Sequence, residues 1–65
     1  RERFGRRVRA FRKLKRLPQS EFAKRLEIST ASLGRIERGE KVPSSQFIAK
    51  IAEQLDIDQQ ELIGE

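Results

Sequence analysis

Hydrophobic residues recur along this chain at intervals of three and four positions, which is the period of an amphipathic α-helix. In the first segment these residues are Phe4, Val8 and Phe11, with Leu14 alongside, and basic residues fall on the opposite side. Pro18 disfavours helical geometry at the residue before it and suits the start of a new helix. The pattern predicts a first helix over about residues 2–16.

Residues 19–38 carry the most informative pattern, two short apolar stripes separated by a turn of about three residues. The stripes consist of Phe22, Ala23 and Leu26, then Leu33 and Ile36, with Ile28 in the turn. Ser29 is a good N-cap for the second of these helices, and Gly39 is a good terminator. The segment therefore predicts helices over about 19–26 and 30–38.

The last third of the chain predicts two more helices. After a loop at 39–43, two serines open a helix over about 44–55, and its stripe is Phe47, Ile48, Ile51, Ala52 and Leu55. Asp58 suits the N-cap of a short helix over about 58–63, with Leu62 and Ile63 turned inward. No strand alternation or repeat is visible, so the sequence predicts an all-α, compact five-helix fold.

Length and composition limit the chain to one small domain, covering residues 1–65. Phe, Ile, Leu and Val total 18 of 65 residues, enough for a folded chain but only a small core. No cysteine is present, so neither disulfides nor thiolate metal sites can stabilise it, which fits a cytoplasmic location. The first residue is Arg rather than Met, as expected of a domain excised from a longer chain.

Charge is distributed unevenly along the chain. The formal net charge is +5, but residues 1–25 have a balance of +9, residues 26–50 of +1 and residues 51–65 of −5. The basic half would attract a polyanion, and the acidic end would repel it. This asymmetry favours binding to nucleic acid or, less often, to an acidic membrane surface.

Taken together, these segments resemble the DNA-binding domain of the Cro/repressor type, the XRE family. The matching motifs are Val8-Arg9-Ala10-Phe11-Arg12, the helix-turn-helix at 19–38, Glu37-Arg38-Gly39, Pro43-Ser44-Ser45, and the segment at 51–57. They span nearly the whole chain at the family's separations. The resemblance implies a helix-turn-helix fold in which the third helix enters the major groove of DNA.

The resemblance also implies a role for each matching residue. The exposed residues of the third helix would face base edges, namely Thr30, Ala31, Ser32 and Arg35. Arg35 would discriminate most, since Arg is the commonest reader of guanine. The residues implied in phosphate binding are Gln19, Ser29, Arg38, Lys41, Ser44 and Ser45. Arg12 would pair with Glu37 and brace the third helix against the first.

Several of these positions also have a purely structural interpretation. Gln19 could equally serve the start of its helix, and Ser29 is a cap first and a phosphate donor second. Glu27 stands in the turn where the family usually has Gly, which costs on the order of 1 kcal/mol in a left-handed conformation. Gly34 lies inside the third helix, either to permit close approach to a sugar-phosphate wall or as a neutral exposed position.

The function expected from these observations is sequence-specific binding of double-stranded DNA by a bacterial or phage transcriptional regulator, most simply a repressor. It would bind an inverted-repeat operator as a homodimer, without cofactor, metal, small-molecule ligand or membrane. The alternatives are a protein-interaction or membrane-surface module that uses the basic first helix, or RNA binding by the same fold. Catalysis is disfavoured, because the chain has no His, Cys, Tyr or Trp and no Gly-rich phosphate loop.

Overall fold

The computed structural model describes residues 2–64, and helices are the regular elements of that range. They are α1 (Glu2–Leu14), α2 (Gln19–Arg25), α3 (Thr30–Glu37), α4 (Ser45–Leu55) and α5 (Gln59–Ile63). The five-helix prediction is confirmed, and every helix end except the C-terminal end of α1 lies within one residue of the predicted one. Ser44 and Asp58 lie just outside their helices as N-caps, each accepting a hydrogen bond from a backbone N–H of the first turn.

The core is formed by the apolar stripes of all five helices. Its largest fully buried side chains are Val8, Phe22, Leu26, Leu33, Ile51, Leu55 and Leu62. Two assignments from the sequence are wrong: Leu14 is 74% exposed and Ile63 is 47% exposed. Leu14 is the last residue of α1, past the point where the helix covers the core, and the short α5 buries only Leu62 of its last two residues.

The first four helices end in the same way. Just past each helix a residue adopts positive φ, and its N–H and the next N–H bond back to carbonyls of the last turn, the two bonds of a Schellman motif. Only Gly39 among these residues is a glycine; the others are Arg16 (φ 58°), Glu27 (φ 62°) and Asp56 (φ 58°). The prediction that α1 continues to Arg16 is therefore wrong, because Arg16 itself reverses the chain.

Glu27→Gly should stabilise the fold, since Gly adopts positive φ without the clash of a side chain. The Glu27 carboxylate lies 3.6 Å from Lys50 Nζ, but the side chain is 82% exposed, so losing this ion pair costs little. We expect a gain of about 1 kcal/mol, or a melting temperature higher by about 4–8 °C. Glu27→Gln is the control, because it removes the ion pair and keeps the strain. A lower melting temperature for Glu27→Gly, measured by circular dichroism, would contradict the strained-turn argument.

Helices α1 and α3 approach each other closely at Gly5. Gly5 is buried, and a Cβ built there would lie 2.5 Å from the carbonyl oxygens of Ile36 and Glu37, at the end of α3. The absence of a side chain on α1 thus lets the last turn of α3 pack directly against its backbone. This contact and the core together fix the direction in which α3 points.

Candidate nucleic-acid interface

Helix α3 has one face in the core and one face in solvent. Leu33 and Ile36 are buried, and Ile28 of the preceding turn is half-buried beside them. The turn between α2 and α3 comprises residues 26–29, and the Ser29 hydroxyl oxygen accepts the Ser32 N–H at 3.0 Å to start α3. The helix is therefore held by its inner face and its cap, which leaves the outer face available to a ligand.

The residues expected to read bases lie mainly on that outer face. Thr30, Ala31 and Arg35 are exposed, whereas Ser32 is half-buried and bonded to the cap. Ala31 and Arg35 are four residues apart and Arg38 follows three residues later, so the three share one side of the helix. This exposed stripe ends in two arginines and contains no acidic residue. Such a surface can donate hydrogen bonds to the acceptor-rich edge of guanine or to phosphates.

The residues expected to bind phosphates fall into two groups. Lys41 and Ser45 are exposed. Ser29 and Ser44 are exposed too, but each hydroxyl oxygen already caps a helix, accepting the Ser32 N–H at 3.0 Å and the Phe47 N–H at 3.2 Å respectively. The two caps therefore have a structural role whether or not DNA is bound.

Glu37 is the centre of a buried polar network that joins three helices. Its carboxylate accepts from Arg12 Nε at 2.7 Å, and from Gln19 Nε2 at 3.1 Å. Arg12 also donates from Nη1 to the Leu17 carbonyl oxygen at 2.8 Å, and both charged residues are under 10% exposed. The Arg12–Glu37 pair thus links α1 to α3, and Gln19 adds the start of α2. In a buried site such a network fixes geometry, because each group depends on the others for a partner.

The Gln19 side chain is therefore held within the protein, and only part of its amide can bind DNA. One N–H of its amide is bound to Glu37, while an amide nitrogen carries two hydrogens. The second N–H and the carbonyl oxygen remain available for a ligand, from an amide that the protein already holds in place.

Arg38, just past the end of α3, is exposed and paired with Glu40. Its Nε lies 2.9 Å from Glu40 Oε2, and this hydrogen bond, together with the opposite charge, lowers the pKa of the Glu40 carboxyl. Glu40 is therefore ionised at neutral pH, and any phosphate that binds Arg38 must compete with it.

Gly34 is buried, so its interpretation as a neutral exposed position is wrong. It lies beneath the Arg38 guanidinium: a Cβ built on Gly34 would be 3.0 Å from Arg38 Nη1 and 3.7 Å from Gln19 Nε2. The side chains of Arg38 and Gln19 thus cross α3 at the one position of that helix with no side chain of its own.

Sequence reasoning did not find the roles of Glu40 or Gly34, or the bond from Gln19 to Glu37. The partners lie in different segments or need a side-chain direction that periodicity does not give. The only local signal was the position of Glu40, which follows Arg38 by two residues and could have suggested their ion pair.

Within residues 2–64 the structure has no group of His, Cys, Asp or Glu side chains arranged to hold a metal ion. None of the helices in that range has the length and apolar character needed to cross a membrane.

Comparisons with known proteins agree on one family. A family model described as a helix-turn-helix domain matches residues 3–62. The uncharacterized HTH-type transcriptional regulator YazB of Bacillus subtilis (strain 168) is 52% identical over 59 residues, covering 91% of this chain and 86% of YazB.

Solved structures of two regulators are also similar to this chain. The restriction-modification controller protein C.AhdI of Aeromonas hydrophila has a TM-score of 0.87 and 36% identity, covering 94% of this chain and 92% of that one. The master regulator for biofilm formation SinR, solved in complex with DNA, has a TM-score of 0.84 and 33% identity, covering 92% of this chain and 97% of that one.

Proposed function

The chain belongs to the Cro/repressor type, or XRE family, of helix-turn-helix DNA-binding transcriptional regulators, and we propose that it reads a specific duplex sequence with α3 in the major groove. The observation that carries this proposal is the exposed stripe of Ala31, Arg35 and Arg38 on a helix whose opposite face is fully buried. A helix held in that way can enter the groove, about 12 Å wide, without disturbing the core.

Base reading is assigned to the first two turns of α3. The methyl groups of Thr30 and Ala31 suit contact with thymine, Ser32 offers a small hydrogen-bonding group, and Arg35 can bond bidentately to guanine O6 and N7. Arg35 is exposed and more than one turn from the N-cap. It is therefore the side chain with the reach and the donors to discriminate most.

Phosphate contacts are assigned to residues on both sides of α3. The residues proposed for this role are Gln19, Ser29, Arg38, Lys41, Ser44 and Ser45. The cations and hydroxyls in this set would fix the docking angle, while adding little sequence preference of their own. The complex of SinR with DNA supports duplex DNA as the ligand of this fold.

We further propose that a homodimer binds an inverted repeat, one half-site per subunit, and that bound protein blocks transcription in the cytoplasm of a bacterial cell. A domain of 65 residues has a small contact surface, so pairing two half-sites supplies the affinity that one site lacks. Binding, rather than catalysis, is the activity proposed, with no cofactor or small-molecule ligand.

The test is selection of binders from a random duplex library at near-physiological salt. An inverted repeat with half-site centres about one helical turn, roughly 34 Å, apart would support a dimeric, base-reading regulator. A lone half-site would overturn dimerisation of this domain. If no sequence were enriched and binding vanished as salt rose, base reading would be wrong, and RNA or protein partners would be tested next.

Arg35→Ala should lower affinity for the selected operator by about 1–3 kcal/mol and relax the preference at one base pair. Fluorescence anisotropy with the operator and its single-base variants measures both effects. Lys41→Ala is the matched control, since it should weaken binding to all sequences about equally and reduce the salt slope by about one unit. An equal loss on every sequence for Arg35→Ala would instead make Arg35 a phosphate contact.

A further inference from the structure

A polar cleft of about 300 Å³ lies beside the outer face of α3, and it is lined by Arg9, Arg12, Gln19, Gly34, Glu37 and Arg38. We propose that this Gly34 cleft is a seat for one phosphate group of the DNA backbone, held between Arg9 and Arg38. The inference rests on the proposed function and adds to it Arg9, to which no role has been given, and a reason for the glycine in α3.

The charges of the cleft favour an anion at its mouth. The negative charge of Glu37 at its floor is balanced by the Arg12 guanidinium, and the Gln19 amide adds a neutral hydrogen bond to the same carboxylate. Its walls are the exposed cations Arg9 and Arg38, which come from α1 and from the end of α3. Two guanidinium groups can form charge-assisted hydrogen bonds to the oxygens of a single phosphate.

Gln19 adds a neutral donor to the same place. Its amide nitrogen is fixed by the 3.1 Å bond to Glu37, and its second N–H is free of that bond. Glu40 acts against the phosphate, because it holds Arg38 Nε at 2.9 Å. An incoming phosphate can use the other N–H donors of Arg38, but the negative charge of Glu40 opposes its binding.

Gly34 keeps the cleft open. A Cβ there would meet Arg38 Nη1 at 3.0 Å, so the guanidinium would have to shift, and it would fill the space beside Gln19 Nε2 at an ordinary contact distance of 3.7 Å. Gly34 is also next to the exposed stripe, one residue before Arg35 and four before Arg38. A phosphate in the cleft would thus belong to the wall of the groove that α3 enters.

The deciding experiment replaces each phosphate of the selected operator in turn with an uncharged methylphosphonate and measures affinity by anisotropy. For the unaltered protein, a methylphosphonate in place of the phosphate that occupies the cleft, one per half-site, should weaken binding about five- to tenfold. Arg9→Gln should weaken binding to the normal operator by a similar factor, with a salt slope smaller by about 0.9. For Arg9→Gln, placing a methylphosphonate at that one phosphate position should cause no further loss of affinity.

Lys13→Gln is the matched control, because it removes the same charge from the exposed surface of α1 but does not line the cleft. This variant should keep full sensitivity to the methylphosphonate. If Arg9→Gln retained the same sensitivity at every position, the basic face of α1 would act only through its diffuse field, and the inference would be overturned.

Gly34→Ala gives an independent test, because its two effects should have opposite signs. Ala is the better helix former and the crowded neighbour is a flexible side chain, so the melting temperature should rise by about 4–8 °C. Operator affinity should fall by about fivefold or more, since the methyl group shifts the Arg38 guanidinium and occupies part of the cleft beside Gln19. A more stable variant with unchanged affinity would contradict a phosphate seat at this position.

The two proposals fail in different ways. If the library yields no operator, the proposed function is wrong and the cleft has no phosphate to hold. If an operator is found but no phosphate couples to Arg9, only the cleft is wrong.

Discussion

Glu37→Ala is expected to lower the free energy of unfolding by about 3–5 kcal/mol, the loss typical of breaking a buried ion pair. Arg12 is only 8% exposed, and its guanidinium would stay in a site from which its counter-charge has been removed. Gln19 Nε2 would lose its acceptor as well. The total free energy of unfolding of a domain of this size is only about 3–10 kcal/mol, so much of the variant population should be unfolded in water. Urea denaturation followed by circular dichroism measures the change.

Two further variants show whether burial is the cause. Glu21→Ala removes an exposed carboxylate that lies 3.5 Å from Arg25 within α2, and it should cost less than about 1 kcal/mol. The double variant Arg12→Met, Glu37→Leu replaces both charges by apolar groups and should recover much of the loss, because no unpaired charge is left behind. If Glu37→Ala were as mild as Glu21→Ala, the network would not hold α3 in place.

The helices and the core could be predicted because both follow from a local repeat. Residues such as Val8, Leu33 and Leu55 lie on stripes with the helical period, and each is fully buried. Helix ends were harder to place, since Arg16 adopts positive φ without being a glycine. The burial of Gly34 could not be predicted either, because it depends on side chains such as Gln19 that come from another helix.

The candidate site likewise has some features that could be predicted from the sequence and others that could not. The exposure of Arg35 follows from the position of Leu33 and Ile36 on the opposite side of α3. The Arg12–Glu37 pair was expected from the family resemblance, and the structure has it at 2.7 Å. The bond from Gln19 to Glu37 spans 18 positions and depends on how α2 crosses α3, so the spacing of residues along the chain carries no signal for it.

Gly5→Ala should destabilise the protein, although Ala is the better helix former by about 0.8–1 kcal/mol. Its Cβ would lie 2.5 Å from the carbonyl oxygens of Ile36 and Glu37. Backbone at the end of a packed helix cannot move aside as the tip of a side chain can, so α1 and α3 would have to separate. We expect a loss of about 2 kcal/mol or more, which corresponds to a melting temperature lower by about 8–16 °C.

Gly34→Ala is the matched control for this prediction, since it makes the same change in another helix against the flexible Arg38 side chain. Opposite shifts in melting temperature for the two variants would show that backbone contact, not helix propensity, decides the outcome at Gly5. Separation of α1 from α3 would also tilt α3 relative to the groove, so the surviving folded fraction of Gly5→Ala should bind the operator more weakly. If Gly5→Ala were instead as stable as the parent protein, the close approach would not be what sets the direction of α3.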